Sequence, residues 1–285
     1  NSRKMKPLLA DGEIVLTFDD GPSRSSTRSI LETLASHCTK ATFFMVGRMA
    51  LSDTETVKEV AARGHTVGAH TWSHVRLAGM AEDKAKTEIE LGFSAVQQAL
   101  GKPIAPFFRF PYLRDSAFSL RHLDGRQIAT FSIDIDSRDF EIRDAAALHQ
   151  RVMAGVKSSG KGIVLFHDIH ASTARALPRI LADLKAHGFR IVHLAPKAGA
   201  RTVAEYDAMA QRELARRRLV IARSPLAKRA ITWPLAGLPD AKVEVKDTKE
   251  ATPAEAAASS AVPDATAAPP APNDGWAADL WNRMN

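Results

Sequence analysis

Seven short apolar runs, at residues 14–18, 41–46, 66–69, 107–110, 128–133, 163–166 and 190–194, constrain this chain more than any other feature. Each is nearly continuous and rich in β-branched or aromatic residues, the pattern of strands buried on both faces. Helix signatures lie between them. Residues 81–100 carry apolar positions near helical spacing and stop at Gly101, and residues 144–156 and 172–187 behave similarly, the latter ahead of Gly188. Ser52-Asp53-Thr54-Glu55 has the form of a capping box, opening a helix that Gly64 ends. Strand–helix alternation of this kind predicts a parallel α/β sheet. About seven units in roughly 180 residues predict a small, distorted (β/α) barrel.

The barrel domain is expected over residues 1–199. A basic helical extension is expected over 200–236, with its helix near 203–220. From 237 to 285 Ala, Pro, Ser and acidic residues prevail, as in Ala267-Ala268-Pro269-Pro270. That composition buries too little apolar surface to offset chain entropy and predicts a disordered tail.

The net charge of +7 favours anionic partners. The basic run 212–229 lacks interleaved aromatics, so it reads as a solvated helix face and no nucleic-acid partner is expected. Cys38 is the only cysteine, which excludes an intrachain disulfide. No stretch is long and apolar enough for a transmembrane helix. The chain starts at Asn1, and a removed leader would leave no trace in it.

Five polar motifs fall at the ends of predicted strands, the rim where parallel α/β folds place their sites. The first is Thr17-Phe18-Asp19-Asp20-Gly21-Pro22. Its adjacent carboxylates point different ways, so one can hold a metal while the other faces a water. The second, His70-Thr71-Trp72-Ser73-His74, has histidines four apart, expected on one side of a helical turn. Asp20, His70 and His74 together form a two-histidine, one-carboxylate set with room for water and substrate. Zn²⁺ suits it, as do Co²⁺, Ni²⁺, Mn²⁺ and Fe²⁺. The third, Phe108-Arg109-Phe110-Pro111-Tyr112, supplies a guanidinium able to orient Asp19. The fourth runs Ile133-Asp134-Ile135-Asp136-Ser137-Arg138-Asp139-Phe140, and the fifth Val164-Leu165-Phe166-His167-Asp168-Ile169-His170.

In order, spacing and strand-end placement, these segments resemble the five motifs of the polysaccharide deacetylases, carbohydrate esterase family four, over about residues 13–194. The resemblance implies one divalent metal, usually zinc, on Asp20, His70 and His74. It implies Asp19 as general base and His167 as general acid, with Arg109 tuning Asp19 and Asp136 tuning His167. The Tyr112 backbone N–H would help bind the oxyanion, and Leu165 would line the acetyl pocket. Phe140 stands where the family commonly has Trp, as a pocket wall. The fourth motif also offers Asp134 and Asp139 as partners for His167. The implied reaction is hydrolysis of N-acetyl groups from N-acetylglucosamine units of peptidoglycan or chitooligosaccharide, by a periplasmic or secreted protein. Asp168-Ile169-His170 leans toward the peptidoglycan branch. The alternatives are an O-acetyl esterase on another polysaccharide, a non-catalytic carbohydrate-binding member of the fold, or a two-histidine, one-carboxylate iron oxygenase.

Overall fold

The computed structural model describes residues 8–223. Strands β1 (Glu13–Asp19), β2 (Thr42–Met45), β3 (Thr66–Ala69), β4 (Phe107–Phe108), β5 (Ala129–Thr130), β6 (Ile135–Asp136), β7 (Gly162–His167) and β8 (Arg190–Ile191) are separated by helices, with only a short turn between β5 and β6. The sheet runs β5-β4-β3-β2-β1-β7-β6, every pair parallel, and curls into a half-barrel. Ile14 pairs with both Gly162 of β7 and Ile191 of β8, so β8 lies on the β2 side of β1. There β2 pairs only with the far end of β1, from Thr17 to Asp19.

Period-two alternation sorts the strands. Leu16, Phe18, Phe43, Val164 and Phe166 point to the helix layer and join its core, where Phe18 stacks between Phe43 and Phe166. Val15, Phe44 and Ile163 point the other way, into the barrel, where Phe131 and Leu194 fill beside them. The same inward face carries Thr17, Asp19, Leu165 and His167 further along β1 and β7. The chemistry therefore stands on an apolar plug at the C-terminal end of the strands.

The helices α1 (Arg24–Ser36), α2 (Gly47–Ser52), α3 (Thr54–Ala62), α4 (Glu82–Leu100), α5 (Ala117–Gly125), α6 (Ala145–Ser159) and α7 (Ala171–Ala186) cover the sheet. Gly101 ends α4 in the left-handed conformation, φ 68°. Helix α8 (Ala204–Arg223) seats Tyr206, Ala210 and Leu214 in the main core against α4. Among the described residues no helix is long and apolar enough to cross a membrane. The expected remainder of the extension and the expected tail lie outside the described residues.

Two local expectations shift. The cap of α3 is Asp53, not Ser52; it accepts from the Thr56 N–H at 3.2 Å. Ser52 instead closes α2, donating its hydroxyl to the Arg48 carbonyl. The run 128–133 keeps only Ala129–Thr130 as strand, and β6, outside the seven runs, forms after it. Two residues with one buried side chain leave no periodicity to detect.

Candidate active site

Asp19 ends β1, buried at 2% exposure, and Asp20 follows in the left-handed region with φ 76°. That turn swings the Asp20 carboxylate toward the histidines. His74 Nε2 lies 3.1 Å and His70 Nε2 3.5 Å from Asp20 Oδ1, and the three ligand atoms all fall within 4.8 Å of one another. No helix brings the histidines together, contrary to the expected helical turn. Residues 70–77 form a loop with Thr71 and His74 both at φ 60°. The loop is held from both sides. Gly47 and Arg48 N–H groups, opening α2, donate to the Thr71 and Trp72 carbonyls at 2.9 Å each, and Val46 N–H reaches the Gly21 carbonyl. Glu88 of α4 accepts from the Ser73 N–H and hydroxyl.

His70 Nδ1 lies 2.7 Å from the Arg109 carbonyl. A carbonyl only accepts, so Nδ1 carries the proton and Nε2 presents a lone pair to Asp20. Burial pushes the His70 imidazole down to about 4, which keeps it neutral at pH 7. Burial would raise the Asp20 carboxyl, but His74, His167 and His70 hold it below the usual carboxylate range. Asp20 Oδ1 is buried and, among the described residues, has no hydrogen-bond partner. An orphaned carboxylate oxygen facing an imidazole lone pair at 3.5 Å fits a divalent cation between them.

Arg109, wholly buried, donates from Nη1 to Asp19 Oδ1 at 2.8 Å and to Thr17 Oγ1 at 2.7 Å, and from Nη2 to the Ser132 carbonyl. Its guanidinium lies over the Phe44 ring, 4.5 Å from the centroid. Asp19 thus has one oxygen fixed and the other, Oδ2, turned into the site, 4.0 Å from His70 Nε2.

On the neighbouring strand His167 ends β7, in register with Asp19. Its Nε2 is 3.9 Å from Asp20 Oδ2. The expected partner Asp136 is corrected. Asp139 Oδ1 sits 2.6 Å from His167 Nδ1, and its Oδ2 accepts from the His167 N–H and the Thr173 hydroxyl. Asp136 closes β6 opposite Leu165 and turns back to accept from the Arg138 N–H. The chain then folds over the end of β7, and that fold carries Asp139, three residues on, to the histidine. Burial alone would lower the His167 pKa, but the Asp139 charge and hydrogen bond, with Asp20 and Asp19 behind them, push it up to about 10.

Phe140 meets the His167 ring edge-on, centroids 5.9 Å apart. Leu165 is buried below it on the inward face. Tyr112 has φ 58° and is 37% exposed, with its ring 4.9 Å from that of His74. Thr17, Glu88, Thr173 and Asp168 also support the site and lie outside the expected set of site residues. Asp168 is buried beside Gly21 and held by Thr27 Oγ1 at 2.6 Å; burial raises its carboxyl to about 7. The place of Thr17 at the head of the first motif and the adjacency of Asp168 to His167 were the available signals.

A parallel half-barrel with this constellation on its rim points to the carbohydrate deacetylases, and comparison with known proteins agrees. The polysaccharide deacetylase family matches residues 9–124. A peptidoglycan-N-acetylglucosamine deacetylase of Bacillus cereus is 32% identical over 63% of this chain and 84% of its own. The Listeria monocytogenes enzyme PgdA is 34% identical over 63% of this chain, which spans only 37% of that protein's length. The solved peptidoglycan deacetylase of Bdellovibrio bacteriovorus superposes with a TM-score of 0.63 at 37% identity, over 67% of this chain and 54% of that one. The chain belongs to the polysaccharide deacetylase family.

Proposed function

We propose that this protein hydrolyses the acetamide of N-acetylglucosamine units in a peptidoglycan or chitooligosaccharide strand, releasing acetate, with one divalent cation, zinc by preference, on Asp20, His70 and His74. The observation that carries this reading is the placement of Asp19 and His167 beside that ligand set, with Asp19 Oδ2 4.0 Å from His70 Nε2 and His167 Nε2 3.9 Å from Asp20 Oδ2. When bound, the cation polarises the acetamide carbonyl and acidifies the attacking water. Asp19 Oδ2 takes the proton of that water, since Oδ1 is engaged by Arg109. The Tyr112 backbone N–H serves the developing oxyanion. His167, its proton retained by Asp139, gives it to the sugar nitrogen as the C–N bond breaks, and acetate and a free amine leave. Leu165 and Phe140 bound the space for the acetyl methyl. Such a glycan lies outside the cytoplasm, so a periplasmic or secreted location goes with this function.

Acetate release from chito-oligomers, peptidoglycan and acetylxylan, with Zn²⁺, Co²⁺ or chelator, tests it. Release from the first two, abolished by chelation, is the expected result. Release from acetylxylan alone, or release unaffected by chelation, would overturn the assignment.

A further inference from the structure

The turn that carries Asp20 out of β1 needs support. Asp20 holds φ 76°, a left-handed backbone that a residue with a Cβ keeps only where its surroundings enforce it. The Gly21 carbonyl accepts from the Val46 N–H at 3.2 Å. Asp168, the residue after His167, is wholly buried against the same glycine. Its N–H donates to the Asp19 carbonyl at 3.3 Å, which extends the β1–β7 ladder by one step. Its carboxylate packs so closely on Gly21 that a Cβ there would lie 2.2 Å from either oxygen. Oδ2 accepts from the buried Thr27 hydroxyl at 2.6 Å, and Thr27 Oγ1 in turn accepts from the Ser23 N–H at 2.8 Å. Asp168 Oδ1 is buried and, among the described residues, has no hydrogen-bond partner. A half-satisfied buried carboxyl costs stability, and an apolar side chain of similar shape would fill this space without that cost. Stability alone therefore does not account for Asp168.

We propose that Asp168 is a positioning residue for the metal ligand Asp20: clamped by Thr27, it holds the 20–23 turn in its left-handed form and so sets the affinity of Asp20, His70 and His74 for their cation. The proposal rests on the reading of those three residues as the ligand set, and not on which glycan is cut. Asp168 acts through the turn, by shape and hydrogen bonding, because its carboxylate meets the Gly21 backbone and the Thr27 hydroxyl. Since Asp168 directly follows His167, the same clamp ties the ligand turn to the proton-donating histidine, whose Nε2 lies 3.9 Å from Asp20 Oδ2.

The test titrates Co²⁺ into the full chain stripped of metal and follows its visible absorption, which reports both affinity and ligand geometry. Asp168→Ala and Thr27→Val should each weaken Co²⁺ binding by about tenfold and shift the absorption bands. Asp168→Asn keeps the shape and an oxygen for Thr27, and Thr27→Ser keeps the hydroxyl, so both should bind within about threefold of wild type. A merely structural role would lower the unfolding midpoint of the metal-free protein and leave the affinity and spectrum of the folded fraction in place. Wild-type affinity and spectrum in both Asp168→Ala and Thr27→Val therefore overturn the proposal. So does an Asp168→Asn protein that binds as weakly as Asp168→Ala, because charge and not the clamp would then be the cause. Should Asp168→Ala fail to fold, the Thr27 pair decides: weak binding by valine with rescue by serine supports the clamp, and equal binding by the two overturns it. A wild type that takes up no Co²⁺ overturns the ligand set and the clamp with it. A wild type that binds Co²⁺ but releases no acetate from peptidoglycan or chito-oligomers overturns the deacetylase reading alone, and the clamp is still judged by the variants' affinities.

Discussion

The two sides of the site reach their geometry by different means. The ligand side is made of loops. Asp20, Thr71 and His74 all take left-handed backbone, and the loops are kept there by N–H groups of residues 46–48 and by Glu88. The proton-transfer side is made of strand. Asp19 and His167 are paired residues at the ends of the two longest strands, and their positions follow from sheet register and the pleat. The ligand loops therefore depend on neighbours that hold them in unfavourable backbone, whereas the strand side depends on compensation of buried charge.

The largest effects should come from removing first partners on either side. Asp20→Ala or His70→Ala is expected to abolish bound metal, read by elemental analysis, and to reduce acetate release by at least about 10³-fold with the fold intact by circular dichroism. Retained acetate release in metal-free Asp20→Ala would sink the ligand assignment.

Arg109→Met should damage the strand side in a different currency. It strands the buried Asp19 carboxylate, and breaking such a pair costs about 3–5 kcal/mol, measurable by denaturant unfolding. A variant as stable as wild type would show that Asp19 is satisfied some other way.

Asp139→Asn sharpens the contrast through pH. His167 is raised to about 10 in the folded protein, so the Asp139 pairing is fully stabilising below about 6.5 and is lost as pH rises toward 10. Removing the carboxylate lowers the His167 pKa. The alkaline limb of kcat/KM should move to lower pH, and the same substitution at Asp136 should leave it in place.

Smaller effects test the loop supports. A Cβ on Gly92 of α4 would lie 2.6 Å from the Thr71 carbonyl carbon. Gly92→Ala should push the 71–74 loop and weaken metal binding by about tenfold while sparing the β1–β7 pairing, as hydrogen exchange on those strands would show. Phe140→Trp should change kcat/KM least, by less than about threefold, since it only extends a wall.

Much of the fold was legible because buried parallel strands announce themselves. Residues 14–18 and 163–166 are nearly continuous apolar runs, and they became β1 and β7 with nearly those bounds. β6 was not legible, because Ile135-Asp136 is too short for any pattern. Within the site, the residue types and strand-end positions of Asp19, Asp20, His70, His74, Arg109 and His167 could be read directly. The choice among Asp134, Asp136 and Asp139 could not. Asp134 instead accepts from the Ile163 N–H, and Asp136 from Arg138.

By itself the sequence determined which segments become strands, that the polar motifs sit at their C-terminal ends, and which side chains with ligand and proton chemistry are available there. These are properties of neighbours along the chain, set by hydrophobic period and turn chemistry. The tertiary structure decided the rest. It brings His70 and His74 together through a braced loop, not a helix, stacks Thr17, Arg109 and Asp19 inside the barrel, and puts Asp139 on His167. The Arg109 and Asp139 pairings join residues 28 to 92 positions apart. Sheet register and the path of each crossover select them, and no local pattern encodes either.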